Sequence, residues 1–266
     1  MDPGFELNLT MDVQEQIERV LAQAPTVGVE GLLVGVPPAP PAQMMKACEA
    51  IARLSAKMAQ RPRIVGIRLR GPFLNGLYVS EQELPYVRRP DAGLVEELLA
   101  AGGGGVRLLT LSPELPGASQ LVQQLADRGV AVGAACSGLS FDQGLRTFRD
   151  GVRFVENTFF AMARFHHREP GLIGAAFLSP GVSLELRPSP GGLHPAMVKI
   201  ALGAVGPERL VLSGQWSCNP PLAGSALLRY VADHIGIAAE QLLPAMTSSI
   251  QTLLSQEPEN VEVQAR

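Results

Sequence analysis

A chain of 266 residues that is 46% apolar and 18% charged can bury one large core, which excludes a disordered or fibrous protein. Its formal net charge of −3 argues against nucleic acid or an anionic membrane surface as a partner. Cys48, Cys136 and Cys218 are widely spaced and odd in number, which suits a reducing, cytoplasmic compartment better than a disulfide framework. The start, MDPGFELNLTMD, lacks the basic and apolar regions of a signal peptide. No apolar run approaches the roughly 18 residues that span a bilayer.

Gly4–Leu9 carries Phe5, Leu7 and Leu9 on alternate positions after Pro3, the pattern of a first strand. Met11–Gln23 places Val13, Ile17, Val20 and Leu21 at helical spacing. Gly31–Val36 reads as a second, buried strand closed by a proline-rich turn, and Gln43–Met58 as a long helix. Further strands are expected at Arg63–Leu69, Val106–Leu111, Val130–Ala134, Val152–Val155, Val182–Leu186 and Leu210–Leu212. Helices are expected at Asp91–Ala100, Ser119–Arg128, Phe141–Phe148 and Pro195–Ala204, with two more between Ala223 and Leu254. Gly102–Gly105 precedes a strand, where a dinucleotide loop would follow one, so it reads as a turn. Eight short strands separated mostly by helices predict a single (β/α)8 barrel over residues 1–254, with 255–266 a polar, disordered tail.

The stretch Ile64–Asn75, IVGIRLRGPFLN, ends a buried strand at a Gly-Pro turn, on the rim where barrels keep their sites. It resembles the GIHLEGPFLN signature of the N-acetylglucosamine-6-phosphate deacetylases, a metal-dependent branch of the amidohydrolase superfamily. Pro3-Gly4-Phe5 resembles that family's PGFID, Ser112-Pro113-Glu114 its TLAPE, and Leu222–Leu227 a further segment, LAGSAL. The resemblance runs from about Pro3 to Leu254 and implies an amidohydrolase-type TIM barrel, here without the family's accessory β-sandwich.

The resemblance also implies a site, and there the chain departs from the pattern. Arg70 stands where the family has a metal-binding glutamate, and Cys136 and Asn157 stand where it has ligand histidines. Gln215 replaces the aspartate that acts as general base and holds the nucleophilic water. A guanidinium has no lone pair to give a metal, an amide is a weak neutral donor, and a glutamine takes no proton near neutral pH. No metal or other cofactor is therefore expected, although the family would use zinc or iron. No catalytic residue is assigned.

The phosphate end of the implied pocket departs less. Phe165–Gly171, FHHREPG, resembles the family's LHHREPG loop, so Arg168 inherits a phosphate-binding role that suits a bidentate guanidinium. His194 keeps the place of a histidine that contacts the sugar, and Ala161 that of an Asn-Ala pair, now Phe160-Ala161. Plainer readings stand beside these. Arg168 pairs with Glu169 to pin a loop, His194 caps the helix starting at Pro195, and Cys136 is a small buried apolar residue. His166 and Glu169 are close in sequence but lack a third ligand. Arg68 and Arg70 share one side of their strand and are expected to pair with Glu156 or Glu185 inside the barrel mouth. The expected function is non-catalytic binding of an amino-sugar phosphate or a protein partner, a second copy included. The alternatives are a hydrolase that deacetylates N-acetylglucosamine 6-phosphate or a related amide, and a metal-free reaction at Cys136 or His194.

Overall fold

In the computed structural model, which describes residues 1–57 and 62–255, seven parallel strands form one curled sheet in sequence order. They are β1 (Gly31–Val36), β2 (Arg63–Arg70), β3 (Val106–Leu111), β4 (Ala131–Ala134), β5 (Phe154–Val155), β6 (Ser183–Leu186) and β7 (Leu210–Leu212). Around them lie α1 (Val13–Gln23), α2 (Pro41–Lys57), α3 (Ala92–Ala101), α4 (Ala118–Asp127) and α5 (Phe141–Arg149). The later helices are α6 (Gly171–Phe177), α7 (Pro195–Val205), α8 (Gly224–Ile235), α9 (Leu243–Met246) and α10 (Ser248–Ser255). The expected helix end at Met58 and the tail from 256 onward lie outside the described residues. None of the described helices is long and apolar enough to cross a membrane.

The expected first strand is not a ladder. Its segment touches β1 through two isolated parallel bridges, Asp2 with Leu32 and Glu6 with Gly35. Pro3 has no N–H to donate, which breaks the run. On its other flank the segment meets the end of β7 by close backbone approach. A Cβ on Gly4 would lie 2.2 Å from the Gly214 carbonyl oxygen, so only glycine fits. The Asp2 carboxylate seals this seam, with Oδ1 accepting from the N–H of Gly4 (2.7 Å) and of Gly214 (3.1 Å). Burial pushes the Asp2 carboxyl up despite these two bonds. The eighth place around the ring is thus filled by an irregular segment bridging the two sheet edges.

Two apolar regions hold the fold. The larger lies between the sheet and the surrounding helices. The smaller lies inside the ring, where Leu33, Leu108, Phe154 and Val211 come from β1, β3, β5 and β7. Four side chains from alternate strands make one layer of the kind that fills the interior of a TIM-type barrel. Ile250 and Leu253 of α10 pack against that layer, and Ser249 Oγ donates to Pro207 O at 3.1 Å just before β7. The N-terminal ends of the strands are therefore plugged, which leaves the C-terminal ends as the mouth.

Candidate functional site at the barrel mouth

β2 is extended, so Arg68 and Arg70 project to the same side, into the ring above the apolar layer. Arg68 has no exposed surface, and its Nη1 donates to Glu185 Oε1 at 3.0 Å. A second carboxylate, Glu6, lies 3.7 Å from Arg68 Nη2. Arg70 is held from three sides. Its Nε lies 3.2 Å from Glu156 Oε1, its Nη1 lies 3.7 Å from Glu6 Oε1, and its Nη groups bond both oxygens of Glu83. The pairing expected inside the mouth is therefore present, Arg68 with Glu185 and Arg70 with Glu156. Glu6 and Glu83 were not anticipated.

The two buried glutamates behave differently. Burial raises the Glu156 carboxyl, and the attraction of Arg68 and Arg70 does not overcome it. Glu156 takes a hydroxyl hydrogen bond from Thr110. Burial also acts against a charge on Glu185, but Arg68, then Arg187 and the Ser213 hydroxyl, hold that carboxyl below its ordinary value. The Asn157 N–H adds a bond to Glu185 Oε2 at 3.0 Å. Arg68 and Arg70 stay cationic because their carboxylate neighbours outweigh the cost of burial.

The rim carries backbone strain. Cys136 (φ 47°), Asn157 (φ 45°), Phe159 (φ 76°) and Ala161 (φ 52°) are all left-handed non-glycine residues, a conformation that collects at functional positions. They follow the ends of β4 and β5. Cys136 packs with Leu74 and Ala135, and Ala161, Tyr78, Val79 and Val87 close over this small cluster. The Cys136 thiol lies 3.9 Å from Arg70 Nη2. Burial pushes it up to about 12, and Arg70 only partly offsets that, so it is neither a thiolate nucleophile nor a ready ligand. Glu114 ties the neighbouring loops together, accepting from Asn75 Nδ2, the Ser137 hydroxyl and the Gly138 N–H.

A cavity of about 380 Å³ opens in this mouth, lined by Glu6, Asn8, Arg70, Glu156, Asn157 and Arg187. Arg70 and Asn157 are the expected positions that reach it. The Gln215 backbone is instead paired both ways with Leu222, at 2.8 and 3.0 Å, in the loop after β7. Arg168 is exposed on its loop, and no ion pair joins it to Glu169. Glu169 Oε1 accepts from the N–H of Phe141 (2.7 Å) and Gly171 (3.1 Å). His194 is the N-cap of α7, its Nδ1 accepting from Ala196 N–H at 3.1 Å. Arg168, His194, Ala161, Cys136 and Gln215 all lie outside the cavity lining.

These donors do not fit a divalent metal. Of the positions the resemblance implies for ligands, Arg70 puts a fixed cation at one, burial keeps the Cys136 thiol protonated at another, and Asn157 offers an amide at the third. Among the described residues no three His, Cys, Asp or Glu side chains converge as a metal site.

No family model matches the chain. Curated sequences do. Over 173 residues the chain is 30% identical to an N-acetylglucosamine-6-phosphate deacetylase of Bacillus subtilis, a match covering 64% of this chain and 42% of that protein. Over 149 residues it is 28% identical to one of Lysinibacillus sphaericus, covering 56% and 38%. The chain is a relative of the N-acetylglucosamine-6-phosphate deacetylases. Its matches span about four-tenths of those curated deacetylases. The fold agrees: a deacetylase crystal structure from Mycobacterium smegmatis superposes with a TM-score of 0.82 at 24% identity, covering 100% of this chain and 77% of that one. A mutant of the M. smegmatis deacetylase, solved in complex with N-acetyl-D-glucosamine-6-phosphate, gives a TM-score of 0.80 at 23% identity. The likeness in fold to these deacetylases therefore extends over the barrel.

Proposed function

We propose that this chain is a deacetylase-like binding protein that does not hydrolyse, its ligand an amino-sugar phosphate or a protein partner. The observation that carries this reading is Arg70. Its guanidinium is fixed by Glu156, Glu83 and Glu6 at the position where the resemblance calls for a metal-binding carboxylate. Metal-assisted deacetylation needs a Lewis acid and a bound water of lowered pKa. A cation locked among carboxylates repels such an ion and supplies no hydroxide. Gln215, at the general-base position, accepts no proton from water.

The ligand half of the proposal is supported by the relative's complex with N-acetyl-D-glucosamine-6-phosphate. Arg168, His194 and Ala161 are the contacts the resemblance assigns to such a ligand, and pairing of two copies is the alternative use of the same loops. The competing reading is the relatives' own activity, and one assay decides between them. Purified protein is expected to hold no stoichiometric zinc or iron and to release no acetate from N-acetylglucosamine 6-phosphate. Bound metal together with acetate release overturns the proposal.

A further inference from the structure

We infer that Arg187 is the anchor of an oxyanion-binding site inside the barrel mouth, for a small ligand whose phosphate or carboxylate enters the cavity beside Asn157 and Asn8. The inference rests on the binding reading above but not on the loss of hydrolysis.

Arg187 directly follows β6, on the C-terminal rim, and lines the 380 Å³ cavity. Among the described residues its one ion-pair partner is Glu185, at 3.3 Å. That carboxylate is already in demand: Arg68 approaches the same oxygen at 3.0 Å, the Ser213 hydroxyl bonds it too, and the Asn157 N–H takes the other. Arg187 therefore receives the smallest share of negative charge among the three guanidiniums. Arg70, by contrast, is contacted by Glu156, Glu83 and Glu6.

Unmet donors point the same way. Arg187 Nε is buried and has no acceptor, and neither Nε nor Nη2 of fully buried Arg68 has one. Buried guanidinium N–H groups are normally satisfied; Arg68 does not line the cavity, but Arg187 does, so its unmet Nε marks a place for an acceptor that comes from outside. The same cavity presents Glu6 and Glu156 as acceptors. A ligand that joins an oxyanion to hydroxyl or ammonium donors meets both needs, and an anion alone meets the first.

The site is distinct from the Arg168 loop, so the two assignments separate by mutation. Thermal shift and calorimetric titration are made on the full chain with inorganic phosphate, acetate and glucosamine 6-phosphate. The two simple anions distinguish a phosphate from a carboxylate preference. Phosphate or acetate is expected to stabilise the wild type at millimolar concentration, with glucosamine 6-phosphate binding more tightly because it adds donors. Arg187→Gln is expected to weaken binding of phosphate and acetate about tenfold or more, and Arg53→Gln, on the exposed face of α2, to leave it unchanged. Should Arg187→Gln fail to fold, Arg187→Lys keeps a cation near Glu185 but loses the planar fork. It is expected to bind several-fold more weakly. Crystals soaked in phosphate should show density within hydrogen-bonding distance of the Arg187 guanidinium. Three results overturn the inference: weakening by Arg168→Gln and not by Arg187→Gln, no response of the wild type to any of the three probes, or phosphate density elsewhere only. Acetate release by a protein that passes these tests would overturn the non-hydrolytic reading and leave the anion site standing.

Discussion

The lower and upper halves of the barrel interior are built on opposite principles. Below, Leu33, Leu108, Phe154 and Val211 fill the ring with hydrocarbon and α10 closes it. Above, β2, β3 and β6 deliver Arg68, Thr110 and Glu185, and the ends of β5 and β7 deliver Glu156 and Ser213, all almost wholly removed from water. The lower half is stabilised by area and volume, which are non-directional and forgiving of shape-conserving change. The upper half is stabilised only as a complete set, because each buried charge needs its partner. The difference shows how a barrel can exchange the contents of its mouth and keep its fold. The lower layer and outer core hold the scaffold, while the mouth can be refilled with any arrangement whose charges balance.

That contrast is tested hardest by removing one member of the upper set. Arg68→Met leaves Glu185 buried beside Arg187 alone and is expected to cost about 3–5 kcal/mol in denaturant unfolding. The double change Arg68→Met with Glu185→Leu is expected to recover much of that loss, since apolar residues of similar volume often replace a buried pair without penalty. A double variant as unstable as the single one would show that the charges are needed for more than mutual compensation. In the lower half, Leu108→Ala is expected to cost roughly 2–5 kcal/mol through lost transfer energy and a cavity. Leu108→Met is expected to cost less than about 1.5 kcal/mol. A large loss for that conservative change would mean the lower layer is as exacting as the upper.

Within the upper half, Glu156 and Glu185 give a finer test. Glu185 titrates below its ordinary value in the folded protein, chiefly because Arg68 outweighs burial. Its contribution is present above the unfolded carboxylate range and is lost as pH falls through the depressed folded value. Glu156 is raised by burial, so its contribution is present at low pH and lost as pH rises through the raised value. Glu185→Gln should therefore cost more stability at pH 7 than at pH 4, while the penalty of Glu156→Gln should shrink or invert over the same rise. Melting temperatures of the two variants and the wild type across that range check the signs. Parallel slopes would show that the glutamates share one environment.

Much of the fold was legible because its signals are local. Runs such as GLLVGV in β1 and IVGIRLR in β2 are apolar where a strand buried on both faces must be. The missed α6, GLIGAAF, is buried at six of its seven positions and carries two glycines, so it has no polar face to set a period. The Gly4–Leu9 segment was read as a strand from its alternation, but Pro3 and the close approach to Gly214 leave it one bridge, Glu6 with Gly35, beside the one at Asp2. At the site, the Arg68 and Arg70 pairs followed from strand parity and from glutamates near other strand ends. Glu83 did not, because it lies 13 residues from Arg70 on a loop whose path has no periodicity. Arg187 was not singled out, although its place directly after β6 was itself a signal.

The smallest effect concerns the strained rim. Ala161 sits at φ 52° with a side chain too small to repay the strain by packing, beside the Cys136 cluster. A left-handed conformation costs an L-residue roughly 1–2 kcal/mol, which glycine avoids, while glycine loses up to about 1 kcal/mol more chain entropy on folding. Ala161→Gly should therefore change stability by no more than about 1 kcal/mol, and toward stabilisation if the rim is rigid. Cys136→Gly relieves a similar φ but removes a buried side chain from between Leu74 and Ala135, so it should destabilise. The opposite order, with Ala161→Gly the more harmful, would mean that the rim depends on Ala161's methyl group and not on the fold beneath it.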